Sequence, residues 1–277
     1  MRRAAAILAV LSIAAAAHAI DVQAVLTPLR KQIEASDYRA VGQIVRVDAS
    51  GNRVSYSINV KGLWFAGAMH MLVDIVPPKG IAAPARRRER MRLLLEMRPD
   101  GRHTISIFRP HEAAPTVLPS NEWGKDLLDT AFSYEDLLEP QYFWPGQTIV
   151  RSAVFGARQC NVLKSTPGPS DHTDYSEVQT WLDRNINYPV YAEKVMKQGG
   201  IVKEFTYYGL RQSSGVWSAT QVEAKIRGRA GSTFLMIQRG SAKANLRISD
   251  FRPDQVSHFP DQISHFPDQR SRFEEHP

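Results

Sequence analysis

Glu135 and Asp136 stand side by side, and paired carboxylates are the first place to look for acid–base chemistry. Such chemistry needs carboxyls that converge on one substrate atom. Adjacent residues on a helix point in different directions. The pair therefore reads as acids at a helix start, favoured by the dipole, or as the end of a tight turn. Asp171, His172 and Asp174 crowd one loop, but their spacing matches no fixed metal motif. Cys160 is the only cysteine, which excludes an intramolecular disulfide and a thiolate metal site. It reads as a small apolar residue in a strand. His258 and His265 lie in a polar repeat with no fixed geometry. No set converges as an active site requires, so the chain reads as a non-enzyme without cofactor or metal. Turnover lost on changing Glu135 or Asp136 would mark an enzyme instead.

A second chemistry is the burial of apolar surface. Residues 53–60 alternate, with Val54, Tyr56, Ile58 and Val60 on one face and Ser55, Ser57 and Asn59 on the other. Met91, Leu93, Leu95 and Met97 alternate against Arg92, Glu96 and Arg98. Ile105 and Ile107 follow the Pro99-Asp100-Gly101 turn. Between these runs, residues 63–76 carry Met69 and Met71, and methionine suits an adaptable apolar surface. The expected contacts for an apolar ligand are Val54, Tyr56, Ile58, Val60, Leu93, Leu95, Ile105 and Ile107. Phe132 and Tyr134 join them from a covering segment. The same residues equally suit a dry core.

These positions must be held by a large sheet. Residues 21–36 have helical spacing, with Asp21 as N-cap and Pro28 as a defect. From Ala40 the period is two. Strands are expected at 41–47, 53–60, 63–76, 148–155 and 159–164. Four more, at 175–183, 189–196, 201–208 and 217–226, are joined by glycine-bearing turns, and 232–237 follows. Residues 244–251 supply a last strand. Residues 112–147, with four prolines, break the rhythm and read as a lid or binding loop containing short helices at 126–138. The fold expected is mainly β: a single curved antiparallel sheet of about ten or eleven strands, a half-barrel with an N-terminal helix and a short helical lid. The concave face of such a sheet is a natural apolar cavity.

Net charge is +7 and the pI about 9.6. Arg86, Arg87, Arg88 and Arg90 form one cluster, read as a solvated loop. No recognition helix or stacking motif accompanies it, so no nucleic acid is expected. Residues 1–19 read as a cleaved secretory signal: Arg2 and Arg3, an apolar run, then Ala17-His18-Ala19. No cysteine stands at the cut, so no lipid anchor is expected, and no later segment is apolar enough to span a membrane. The expected location is the periplasm. The domain expected covers 20–252. Residues 253–277 repeat Pro-Asp-Gln every seven residues and read as a disordered tail.

The stretch Thr130-Ala131-Phe132-Ser133-Tyr134-Glu135-Asp136-Leu137 resembles the F-S-Y-E-D-L signature of a branch of the outer membrane lipoprotein-sorting proteins, the LolA/LolB-like family. The landmarks after it resemble that branch too. They are Cys160-Asn161-Val162-Leu163, Tyr175-Ser176-Glu177-Val178, Trp181-Leu182-Asp183, Tyr188-Pro189, Gly199-Gly200-Ile201-Val202-Lys203, Gly215-Val216-Trp217 and Thr233-Phe234-Leu235. Before the signature, Ile105-Ser106-Ile107-Phe108-Arg109-Pro110 keeps the proline of the family's aromatic strand and one aromatic only. The resemblance implies a monomeric half-barrel carrier. Its partners would be acyl chains of lipoproteins or other lipids, an inner-membrane loading complex and an outer-membrane acceptor. The alternative within the same fold is an envelope-sensing module that binds lipidated or misfolded envelope proteins.

Overall fold

Asp21 opens the first helix as its sequence suggests, its side chain accepting a hydrogen bond from the Gln23 amide at 2.9 Å. Helix α1 (Val22–Glu34) tolerates Pro28 inside it and turns Val25, Leu26 and Leu29 into the core. The structure is a computed structural model that describes residues 21–78, 90–109, 112 and 114–252. The leader expected at 1–19, Arg86 to Arg88 and the repeats from 253 onward lie outside the described residues.

The strands are β1 (Asp37–Val47), β2 (Arg53–Phe65), β3 (Ala68–Val76), β4 (Met91–Met97), β5 (His103–Phe108), β6 (Thr116–Val117), β7 (Gly146–Phe155) and β8 (Arg158–Thr166). They continue as β9 (Tyr175–Asp183), β10 (Pro189–Met196), β11 (Val202–Tyr208), β12 (Arg211–Ser213), β13 (Val216–Ser218), β14 (Gln221–Ile226) and β15 (Ser232–Ala242). Thirteen of them form one antiparallel sheet in the order β6-β5-β4-β3-β2-β1-β15-β14-β11-β10-β9-β8-β7. The sheet is not closed, because β6 and β7 are its two edges. The β1–β15 pairing joins its N-terminal and C-terminal halves. One core cluster takes in Ile105 of β5, Leu163 of β8, Leu182 of β9 and the buried face of α1. Residues from both wings can share one core only if the sheet curves round the helix. The architecture is the mainly β half-barrel that the alternation implies, with two more strands in the sheet than the upper expectation.

Three boundaries differ from the sequence reading, each for a local reason. Residues 63–76 are not one strand. Ala66 and Gly67 both have positive φ, 49° and 77°, and reverse the chain between β2 and β3. Residues 217–226 divide into β13 and β14, and β12 and β13 leave the main sheet as a separate hairpin. Residues 244–251 form no strand. The Asp37 carbonyl accepts from the Lys243 and Ala244 amides, and the Asp37 carboxylate from those of Asn245 and Leu246. This draws the chain across the back of the sheet, where Leu246 and Phe251 cover Leu72. A short 3-10 turn (Ile248–Phe251) replaces the expected strand.

Residues 120–142 form four 3-10 turns: Ser120–Glu122, Leu127–Asp129, Glu135–Leu137 and Pro140–Tyr142. Trp123, Leu127, Leu138 and Tyr142 are buried in the main core. This covering segment is thus a packed plug of 3-10 turns, held more firmly than a loose helical lid.

Candidate functional site

The inner face of β2 to β5 is one apolar surface, and its two ends have different fates. The register aligns Val60, Val73, Leu93 and Ile107 across four strands, with Leu95 and Ile105 in the neighbouring row. At the β4–β5 end, Leu93, Leu95, Ile105 and Ile107 lie at most 3% exposed in the core with Leu118, just after β6, and with Trp123 and Leu127 of the plug. At the β1–β3 end the plug covers the face only in part. There a cavity of about 960 Å³ opens, at the upper end of the sizes usual for small-ligand sites.

Its apolar wall includes Ile58 and Val60 of β2, Met69, Met71 and Val73 of β3, and Met97 of β4. Phe132, Leu137 and Leu138 come from the plug, Leu29 and Ile33 from α1, and Phe205, Val222 and Leu235 from the C-terminal half. Of the residues expected to meet a ligand, Ile58, Val60 and Phe132 line the cavity. Tyr56, Leu93, Leu95, Ile105 and Ile107 are core residues that do not line it, and Val54 and Tyr134 are partly buried against that core. Tyr38 reaches the cavity from β1. Its ring lies across Gly62, where an added Cβ would come within 2.4 Å of it.

The cavity floor is charged. Asp136 and Glu139 line it from the plug and Lys194 from β10. The Asp136 side chain is fully buried, and those of Lys194 and Lys203 are 3% and 1% exposed. Asp136 Oδ1 accepts from Tyr175 Oη at 2.8 Å and from Lys194 Nζ at 2.9 Å. Asp136 Oδ2 accepts from the Ser133 amide at 2.8 Å, Ser133 Oγ at 2.7 Å and Lys203 Nζ at 3.4 Å. Lys194 and Lys203 are direct cross-strand partners, a like-charge pairing that Asp136 offsets. Burial alone would push Asp136 up; the two lysines, Lys194 first, and the Ser133 amide hold it well below the usual carboxylate range. Glu139 is different. Burial raises it, while Lys194 and the Tyr207 hydroxyl, which donates to Glu139 Oε1 at 2.8 Å, act against that rise. The serine and aspartate of the Phe-Ser-Tyr-Glu-Asp-Leu stretch therefore clamp the plug to β9, β10 and β11.

Glu135 points away from the cavity, accepting from Thr173 Oγ1 at 2.8 Å and more weakly from the Asp174 amide at 3.3 Å. Burial, then the neighbouring Asp136 charge, raises its carboxyl from 4.5 to about 7. A raised folded-state value stabilises below the unfolded value and loses that stability as pH rises through about 7. Urea unfolding should therefore show a fall on the order of 2 kcal/mol from about pH 4.5 to about pH 7.5, with Glu139 acting in the same sense. Glu135→Gln should flatten that profile, and an unchanged slope in the variant would assign it elsewhere.

The β12–β13 hairpin lies at the opening. Arg211, Gln212, Ser213, Val216, Trp217 and Ser218 all border the cavity. Gln32 Nε2 of α1 donates to the Trp217 carbonyl at 2.8 Å, and the Ala219 amide donates to Tyr188 Oη at 3.1 Å. Gly209, with φ 60°, turns the chain off β11 into this flap. The sequence reading ended one strand at 208 and ran the next over 217–226, so it assigned the first arm to no strand and kept the second in the main sheet. Among the described residues no group of three or more metal-ligating side chains gathers, and no helix is long and apolar enough to cross a membrane.

A family model described as that of an uncharacterized protein matches residues 81–257. The chain belongs to that family. Curated proteins give no match to the sequence. Solved structures do, and they place this family member in a wider fold group. A domain from Vibrio parahaemolyticus, provisionally described as an outer membrane lipoprotein-sorting protein domain, superposes with a TM-score of 0.70 at 17% identity, covering 83% of this chain and 97% of that one. A DUF1329 family protein from Desulfovibrio piger gives 0.71 at 15% identity over 84% and 97%. A LolA superfamily protein from Nitrosomonas europaea gives 0.63 at 16% identity over 86% and 100%. At these identities the likeness is one of fold. The fold is that of the LolA-like half-barrels, as the signature stretch implies.

Proposed function

We propose that this protein is a periplasmic carrier that shelters acyl chains of lipoproteins or other lipids in its cavity for transfer towards the outer membrane. The observation that carries the reading is the hollow, methionine-bearing end of an otherwise filled apolar face. A single long acyl chain in water costs on the order of 10 kcal/mol, at about 0.8 kcal/mol per methylene. A soluble carrier must hide that surface and still release it. Met69, Met71 and Met97 give the wall side chains that repack without a fixed shape. The flap, held to α1 by the Gln32 hydrogen bond, offers a door that opens without disturbing the sheet. In this proposal Ile58, Val60 and Phe132 touch the chain. Leu93, Leu95, Ile105 and Ile107 back the wall, and Val54, Tyr56 and Tyr134 support its edges. The likeness to a lipoprotein-sorting domain and a LolA superfamily protein supports the reading at the level of fold.

The test is organic extraction of the protein purified from its native periplasm, followed by mass spectrometry. The expected result is about one equivalent of acyl-chain lipid or lipopeptide per protein. Extracts without acyl species, combined with failure to take up a fluorescent long-chain alcohol, would reject the carrier reading.

A further inference from the structure

Six successive residues of β15, Ile237 to Ala242, border the cavity. Successive side chains of a strand point to opposite faces, so no single face accounts for that run. What borders the opening there is the edge of the strand, its main chain. The β14 ladder explains why that edge is free. It pairs with β15 only as far as Gln221 and Met236, and the last link is the Ile237 amide donating to the Thr220 carbonyl at 2.8 Å. Just before Thr220 the chain belongs to the flap, whose two strands pair with each other and not with β15. Gln238 to Ala242 therefore have β1 on one side and no strand on the other.

The register shows which groups are left open. The Lys243 amide donates to the Asp37 carbonyl at 2.7 Å, one step beyond the Tyr38–Ala242 pair. Facing residues of an antiparallel ladder alternate between bonded and non-bonded pairs. Arg239 and Ser241 thus bond to β1 through their main chain, whereas Gly240 and Ala242 turn N–H and C=O away from it. Among the described residues, none bonds to those outward groups. Arg239 and Ser241 carry their side chains to the back of the sheet, with Arg39 and Lys61. Beyond Arg239 the cavity side of the edge holds only Gly240, without a side chain, and the Ala242 methyl. A glycine inside a strand marks a place where another backbone can approach closely.

We propose that this edge is a docking site for an extended polypeptide, which adds to β15 as a strand through the N–H and C=O groups of Gly240 and Ala242. Its occupant is an N-acylated peptide, whose acyl chain enters the cavity while its first residues pair along the mouth. The edge is continuous with the cavity wall, so one molecule fills both. A pairing this short is marginal by itself, which disfavours a sheet shared with a second copy of the chain. An acyl chain already seated in the cavity makes the same pairing intramolecular. Main-chain bonding tolerates varied side chains, and small residues suit the cavity side. The proposal rests on the carrier reading above.

The experiment uses the full chain and three fluorescent probes with one long hydrocarbon chain. They are a short N-acylated peptide of glycine, serine and alanine, its analogue N-methylated at every residue, and the long-chain alcohol. The unmethylated peptide should bind about tenfold more tightly than its methylated analogue. That ratio should fall to about one in Ala242→Pro, which removes an outward N–H and leaves the bonds to β1 in place. Amide exchange in the wild type gives a second reading that does not depend on the variant folding. The bound peptide should slow exchange at Gly240 and Ala242 about tenfold or more, and the methylated analogue and the alcohol should not. Equal affinity of the two peptides, with exchange at Gly240 and Ala242 unchanged, overturns the docking site and leaves the carrier reading standing. No binding of any probe overturns the carrier reading and this proposal with it. A peptide without its acyl chain that binds as tightly as the acylated one rejects the acylated occupant. Concentration-dependent dimers that protect the same two amides without peptide would make the edge a subunit contact and reject the proposal.

Discussion

Asp136→Asn should cost about 3–5 kcal/mol of folding stability, the effect of breaking a buried ion pair from one side. The size follows from what the substitution leaves behind. Lys194 and Lys203 face each other across β10 and β11, nearly without solvent, and Asp136 is the carboxylate that contacts both. Without it, two ammonium groups share one dry site. Lys194 would keep the ring faces of Phe205, at 4.7 Å, and Tyr175, at 5.4 Å, and the longer-range fields of Glu139 and Glu135. The Ser133 and Tyr175 hydroxyls would also lose their acceptor. Urea denaturation of Asp136→Asn, Lys194→Met and the double variant closes a cycle. The double variant should recover much of the loss, because one lysine is then gone with the acid. A cost below about 1 kcal/mol for Asp136→Asn would put the clamp among ordinary surface contacts. The pH dependence has a definite sign. Asp136 is held low in the folded state, so its contribution is present above the ordinary aspartate value and is lost only as pH falls through the depressed one. Glu135 and Glu139 act oppositely, and stability should peak on the acidic side of neutrality.

The clamp explains which parts of the molecule were legible in the sequence. Alternation in residues 53–60 and 91–97 revealed strands because one face is apolar and the other wet, and that contrast is local. The half-barrel followed from many such strands and from the signature stretch. The clamp could not be seen that way, because its members lie on four elements, the plug, β9, β10 and β11. A signal did exist. Val190, Ala192 and Lys194 are the buried phase of β10, and Lys203 and Phe205 that of β11. A lysine in the apolar phase of two neighbouring strands announces a buried counter-charge, and the adjacent Glu135 and Asp136 were the acids to match with it. The cavity was half legible. Nothing in the pattern of residues 53–107 distinguishes the filled end from the hollow one, since both carry the same apolar alternation. What decides between them is where the plug sits, and that is fixed by the clamp. The flap escaped because β12 and β13 are three residues each and differ from main-sheet strands only in where Gly209 sends them.

Val60→Glu should abolish uptake of a long-chain probe, a loss of at least about a hundredfold, while leaving the protein folded. Val60 lies on the cavity wall and is only partly buried, so a longer side chain has room to extend into the hollow. There its carboxylate meets the space a hydrocarbon chain would fill. Stripping that charge of water to admit the chain costs several kcal/mol, and each 1.4 kcal/mol is a tenfold loss of affinity. Leu95→Ala makes the opposite demand. Leu95 is in the same apolar face, two strands away, yet it packs under the plug and borders no cavity. Its truncation should lower stability by about 2–5 kcal/mol, as buried leucine deletions do, and should leave probe affinity per folded molecule within about twofold. The paired measurement separates a hollow from a core within one face of one sheet. Undiminished uptake in a folded Val60→Glu variant, or a Leu95→Ala variant that keeps its stability and loses the probe, would move the binding surface to the β4–β5 end.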